Sequence, residues 1–218
     1  MGKVPQRTTI LCGVDAAPAS GKAAAVASWL SHRLSCDALL VHVERPASSR
    51  GGVASIARAR ERGRLRALID THGFPAGTRA RIVTGHPASA LLQLARAEDS
   101  ALLVVGAHGG SDADAPAGPV TDFLTRSAPC PVVVVPPVAA TPPGAPGGRL
   151  VVRDGGGRDS DARALAADLA RRLGAPVEGG AGPLMRLLAA PGAPVIVLPP
   201  EADVSAGSGH YELARRAA

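Results

Sequence analysis

Five short runs, Ile10–Val14, Ala38–Val43, Arg79–Thr84, Ala101–Val105 and Val132–Val135, alternate with segments of helical period, and this alternation constrains the fold most. All but the weaker Arg79–Thr84 run are near-continuously apolar, His42 apart, the pattern of strands buried on both faces. Between them, Ser20–Leu34 repeats apolar residues at Ala23, Val26, Ala27, Leu30 and Leu34, a helical spacing. A second helix is read from about Val53 to Thr71. Gly85-His86-Pro87 opens a third with Pro in its first turn, placing Leu91, Leu94, Ala95 and Glu98 on one face. A short helical pattern covers Val120–Ser127. Strands alternating with helices predict an α/β fold, a doubly wound five-stranded parallel sheet covered on both faces.

Composition narrows the function. Hydrophobic residues make up 46% of the 218, enough for a packed core, but aromatics only 2%, so the core must be Val, Leu, Ile and Ala. That scarcity argues against base-stacking nucleic-acid modules. No apolar run reaches the length of a membrane span, and the opening MGKVPQRTT has no signal-peptide core. Cys12, Cys36 and Cys130 are odd in number and lack CxxC spacing, which predicts reduced thiols and a cytoplasmic setting. Formal net charge is +6, densest at Arg58, Arg60, Arg62, Arg64 and Arg66. These are read as a solvated helix face turned away from Ile56, Ala59 and Gly63.

Residues 137–148 form a Pro/Gly linker, and the chain beyond it repeats its beginning. One constant offset carries Asp15 onto Asp154, Ala23 onto Ala162, Val26 onto Leu165, Leu30 onto Leu169, Arg33 onto Arg172 and Leu34 onto Leu173. Ala181-Gly182-Pro183-Leu184 copies Ala117-Gly118-Pro119-Val120, and residues 194–200 copy 131–137. The expected organisation is a full α/β domain over 1–136, the linker, an abbreviated copy over 149–200 that has lost its middle, and a polar tail over 201–218. Val132–Val135 would be an exposed edge strand, an association hazard. Val195–Leu198 is read as its partner on the same chain, an intramolecular pseudo-dimer. A homodimer through Val132–Val135 is the alternative.

Candidate chemistry gathers where strands end. In an open parallel sheet, ligands bind beyond the carboxyl ends of the strands. Asp15 follows the first strand there, and Gly106 opens a small-residue loop after the fourth, where backbone can approach a phosphate. Alone, Asp15 reads as a cap or turn residue. Gly21-Lys22 resembles the end of a phosphate loop, but Ala16 and Ala23 replace that motif's Gly and Ser/Thr, so it is read as a helix start. The six histidines show no metal spacing. Ser111 and Asp112 beside His108 lack triad geometry. Cys130 is read as a packed thiol, with a redox sensor as the alternative.

The pieces ILCGVDAAPAS, LLVHV, TGHPASALLQLA, LLVVGAHGG and SAPCPVVVVPP together resemble the universal stress protein family, over residues 8–136 in full and 149–200 in abbreviated form. The resemblance implies the doubly wound sheet of the adenine-nucleotide α-hydrolase-like type, with pairing through the last strand. In the nucleotide-binding branch it implies ATP held by the strand-one carboxylate, by backbone after strand two and by a loop G-x2-G-x9-G-[ST]. On this chain those positions are Asp15, Val43, Gly106, Gly109 and Gly118, with Val120 and Thr121 following, Thr121 offering a hydroxyl from the next turn. His108 lies inside the loop; a solvent-facing ring is expected, ligand contact the alternative. Only eight residues separate Gly109 from Gly118, and Pro119 stands at the Ser/Thr position. Proline supplies neither hydroxyl nor N–H, and Asp112 and Asp114 repel a triphosphate unless a cation such as Mg²⁺ intervenes. Two lost donors at roughly 1–3 kcal/mol each weaken binding by about one to four decades. The expected function is stress-response binding of adenine nucleotide (ATP) without strong catalysis. The alternative is a protein of this fold that binds no nucleotide and acts through an unknown protein partner. A slow ATPase ranks third, because no general base stands near the loop.

Overall fold

The computed structural model describes residues 9–17, 19–46, 52–108, 118–136, 151–153, 167–168, 171–174 and 195–197. The strands are β1 (Thr9–Gly13), β2 (Asp37–Glu44), β3 (Arg79–Thr84), β4 (Leu102–Gly106), β5 (Val132–Val135), β6 (Val151–Arg153) and β7 (Val195–Val197). The helices are α1 (Ala19–Leu34), α2 (Gly52–Thr71), α3 (Pro87–Ala97) and α4 (Pro119–Ser127). Every element expected between residues 10 and 135 is present, with ends shifted by a residue or so. The sheet order is β3-β2-β1-β4-β5-β7-β6. The first five strands are mutually parallel. Among the described residues no helix is long and apolar enough to cross a membrane.

Alternate strand residues feed two cores. Ile10, Cys12, Leu40, Val104 and Val133 point to the face covered by α1 and by Leu65 of α2. Leu11, Leu39, Val41, Leu103, Val105, Val132 and Val134 point to the face covered by Leu91 and Leu92 of α3 and Leu124 of α4. This explains the continuous apolar runs: each residue of a central strand meets a helix on one side or the other. β3 differs because it is the outer strand, and most of its side chains are exposed. There Arg79 and Arg81 both bridge Glu98. The Arg79 hydrogen bond is the main cause that holds the Glu98 carboxyl below its ordinary range.

One helix face departs from expectation. Ile56 was expected opposite the arginines and therefore inward, yet it is 73% exposed. Ala59 and Gly63 are exposed too. α2 docks instead through Leu65, with Leu68 and Ile69 packed beside it. Arg64 is turned back onto Glu61 of its own helix. The physical reason is size: Leu and Ile near the helix end bury more area than one Ile and two small residues near its start.

β5 does not end the sheet. It pairs with β7 in antiparallel register, Val132 with Val197, Val133 with Ile196 and Val134 with Val195, and β6 pairs parallel to β7 beyond it. Leu173, matched to Leu34 by the sequence offset, is buried in the α1-side core. Most of the supposed second copy, the linker and the tail lie outside the described residues. Truncation after about residue 145 removes β6 and β7 and bares the β5 edge. We expect the truncated chain to associate or precipitate where the full chain sediments as a monomer; a soluble monomeric truncation would refute a protective role for β7.

Candidate functional site

β1 and β4 are neighbours, but the chain leaves them towards opposite faces: β1 leads to α1 and β4 leads to α4. Such a parting opens a crevice at the carboxyl edge. A cavity of about 570 Å³ lies there, lined by Asp15, Ser20, Val43, Arg45, Gly106, His108, Gly118, Pro119, Val120 and Thr121 among others. Its size suits a small organic ligand. All the site residues expected from sequence converge on it except Gly109, which lies outside the described residues together with Asp112 and Asp114.

Asp15 is both the expected turn residue and a wall of the cavity. Its Oδ1 accepts the Ala17 N–H at 2.9 Å and the Ser20 hydroxyl at 2.6 Å. Its own N–H donates to Ser20 Oγ at 2.8 Å. These bonds fix the carboxylate while engaging only one of its oxygens. Below it, the His42 Nδ1 lies 3.1 Å from the Val14 carbonyl and 3.3 Å from Glu61 Oε1. Both partners are acceptors, so Nδ1 carries the proton. The Val14 N–H also donates to the Val41 carbonyl at 2.9 Å. The approach to Asp15 is thereby tied to β2 and to α2. Gly21 and Lys22 sit in the first turn of α1, as expected of a helix start.

On the other wall, donors expected to face a ligand are engaged within the protein. Gly118 is the residue before α4, and its N–H donates to the Ala107 carbonyl at 2.7 Å. Thr121, expected to offer its hydroxyl to a phosphate, donates it to the Gly106 carbonyl at 2.8 Å. The cause is proximity: the first turn of α4 sits against the end of β4, where the Gly106 carbonyl is within reach of the hydroxyl. Helical geometry leaves the N–H groups of Val120 and Thr121 free at the helix start, where the dipole is positive. A Cβ at Gly106 would stand 3.3 Å from the His108 carbonyl, a tight contact that the following backbone would have to yield to accommodate.

His108 overturns the expectation of a solvent-facing ring. Both its ring nitrogens are buried and neither has a hydrogen-bond partner among the described residues. An unpaired buried polar atom costs about 1–3 kcal/mol, so the ring calls for a partner such as a water, an ion or a ligand. Two polar lining residues were not anticipated as site residues. Ser20 could have been found from its spacing after Asp15, a side-chain-to-backbone turn signature. Arg45 follows directly on β2, and its only signal was that position. Among the described residues no group of three His, Cys, Asp or Glu side chains is placed to hold a metal.

The family model of the universal stress proteins matches residues 6–136. Among solved structures, the chain is similar to the universal stress protein UspA from Lactobacillus plantarum, at 23% identity over 60% of this chain and 99% of that one, with a TM-score of 0.49. It is similar to a universal stress protein solved in complex with cAMP, at 23% identity over 60% of this chain and 97% of that one, TM-score 0.50. It is also similar to a universal stress protein from Archaeoglobus fulgidus solved in complex with dAMP, at 17% identity over 59% and 98%, TM-score 0.48. No curated protein matches the chain.

Two outcomes follow from this geometry. Thr121→Val keeps the shape and removes the bond to Gly106, so chemical denaturation is expected to show a loss of about 1 kcal/mol; unchanged stability would mean the bond is not formed in solution. Burial pushes the Cys12 thiol up to about 12, and burial with the Asp99 charge does the same for Cys130. A raised pKa favours the neutral thiol in the fold, so this contribution is complete below the unfolded value near 9 and fades as pH climbs towards 12. At pH 8 the native chain is expected to resist iodoacetamide at Cys12 and Cys130, and the unfolded chain to react at both. Rapid labelling of native Cys130 would revive a redox role for it.

Proposed function

The chain belongs to the universal stress protein family, and we propose that its cavity binds an adenine nucleotide as a signal, without strong catalysis. The observation that carries this reading is the convergence of Asp15, Val43, Gly106 and the start of α4 on one cavity at the β1–β4 parting. A fixed carboxylate suits hydrogen bonds from a ribose or base, and a helix start suits a phosphate. The similar proteins solved with cAMP and with dAMP support the class of ligand. ATP is the family-type ligand, with Mg²⁺ required to offset Asp112 and Asp114 if a triphosphate enters. Asp15 is held by the Ala17 N–H and the Ser20 hydroxyl, a fixed acceptor suited to a ligand's hydroxyl or amino group, which supports a binding role. The buried free thiols support a reducing, cytoplasmic setting.

We propose further that the segment after the linker is a degenerate second copy serving as a structural cap. The antiparallel β5–β7 pairing supports it. A second functional reading, action through protein contacts without nucleotide, is favoured by the engagement of Gly118 and Thr121 inside the fold.

Calorimetry with adenosine, AMP, ADP and ATP, with and without Mg²⁺, separates the two readings. Heat of binding is expected; none at millimolar ligand would eliminate the nucleotide reading in favour of the second. Pro119→Ser restores an N–H and a hydroxyl at the start of α4 and is expected to tighten ATP by about threefold to tenfold. No change would mean that this helix start does not meet the phosphates.

A further inference from the structure

We propose that the outer edge of β3 is a docking strand for an extended acidic segment of a partner protein, which adds to the sheet alongside α2. The proposal does not depend on the nucleotide reading, because the groove concerned shares no lining residue with the cavity at the β1–β4 parting. This groove, of about 310 Å³, runs between α2 and β3. Leu65, Ile69 and Ile82 give it an apolar lining, and it stays open over Ala80, the smallest side chain in the β3 row Thr78, Ala80, Ile82. The Thr78 hydroxyl in its wall is buried without a hydrogen-bond partner among the described residues. The strand edge supplies backbone as well. β3 pairs with β2 and is the last strand on that side of the sheet among the described residues. The Gly85 N–H donates to the Glu44 carbonyl of β2 at 2.9 Å. Backbone groups alternate in direction along a strand, so the Arg81 and Val83 amides also turn to β2, and those of Ala80 and Ile82 turn outward. An added strand takes its hydrogen bonds from such outward groups.

Arginines on α2 set the charge of the occupant. With Leu65 facing the core, Arg58, Arg62 and Arg66 lie about 20°, 60° and 100° round the helix on one side. Glu61 lies about 40° round on the other side, where it meets His42 of β2. The arginine side therefore overhangs β3, and Arg58 donates to the Thr84 hydroxyl of that strand at 3.3 Å. Arg58 is met by Glu44 at 3.4 Å. Arg62 and Arg66, on the next two turns, line the groove and enter no ion pair among the described residues. They stand about 6 Å apart along the helix, and alternate residues of an extended chain stand about 7 Å apart. Two acidic side chains at i and i+2 of a docked strand, both on its α2 side, therefore match the two guanidiniums. On the other face of β3, Arg79 and Arg81 share one carboxylate, Glu98. A second copy presenting the same strand brings these arginines against their equals. The charge that opposes self-pairing thus selects an acidic partner.

The test is amide hydrogen exchange of the full chain, read residue by residue by NMR, with the acetylated and amidated peptide Thr-Glu-Thr-Glu-Thr-Glu as probe and its Lys-for-Glu counterpart as control. At millimolar probe, exchange of the Ala80 and Ile82 amides is expected to slow by about threefold or more, with Arg81 and Val83 unmoved. The lysine peptide is expected to protect neither. Arg62→Gln and Arg66→Gln together are expected to weaken the glutamate peptide by about threefold to tenfold. Ala80→Pro removes an outward N–H and no bond to β2, so it is expected to weaken the peptide by about fivefold or more with a nearly unchanged thermal midpoint. No protection from the glutamate peptide, or equal protection from the lysine peptide, would overturn the proposal. Protection that grows with the concentration of the chain alone would assign the edge to a second copy and overturn the acidic partner. Glutamate-peptide affinity unmoved by Ala80→Pro would mean that side chains alone are recognised, and would refute strand addition. The exchange measurement on the unaltered chain decides the matter even where a variant fails to fold.

Discussion

The site depends on one constraint: two adjacent parallel strands, β1 and β4, whose chains must depart to opposite faces of the sheet. Nothing can fill the space between the departing chains without burying unpaired backbone groups, so a crevice persists at their carboxyl ends. The strands themselves leave little freedom. Their side chains are apolar on both faces and buried between helices, and a slip of one residue would send every side chain to the wrong core. The cavity is therefore a consequence of the packing, and its position is as rigid as the sheet.

What the cavity can hold is decided by how its edge satisfies its own hydrogen bonds. Gly118 and Thr121 sit where a phosphate loop would present donors, but each is turned to a carbonyl at the end of β4. Those bonds make a stiff junction between β4 and α4, and they subtract from what is available to a ligand. On the β1 side the balance is different. Ser20 and the Ala17 amide orient Asp15 but leave its second oxygen free of described partners. The β1 wall of the cavity thus holds a positioned carboxylate, while on the β4 wall two donors are engaged by the fold itself. The two walls can differ in this way because they are built from different elements.

This division also explains what could be read from the sequence. The strands were legible because double-sided burial leaves an unbroken apolar signature, and Asp15 and Gly106 were legible because each directly follows such a run. The docking face of α2 was not. Its Ala- and Arg-rich first half offers little contrast between faces, and the side that packs is set by Leu65, Leu68 and Ile69 near its end. His42 binds across strand neighbours, and Arg45 reaches the cavity lining, through residues distant in sequence, a relation that no local pattern encodes. Thr121 shows the same limit: its hydroxyl is visible in the sequence, but its acceptor, Gly106, is supplied only by the folded β4–α4 junction.

The β5 edge carries the remaining argument. A four-valine strand, buried on both faces and open at one edge, is an efficient template for a second strand. In this chain that partner is internal. Val133 faces Ile196, its own counterpart when residues 131–137 are laid on 194–200, and Val132 and Val134 take each other's counterparts on either side. That exchange is what a local two-fold axis through the Val133–Ile196 pair produces, the self-complementary geometry of a symmetric dimer interface. β6 then lies beside β7 and parallel to it, whereas in the first half β1 and β5 are separated by β4. A copy that lost its middle would bring its first and last strands together in just this way. Pairing with β7 closes the β5 edge, which is by itself a reason for two short strands to lie beside it.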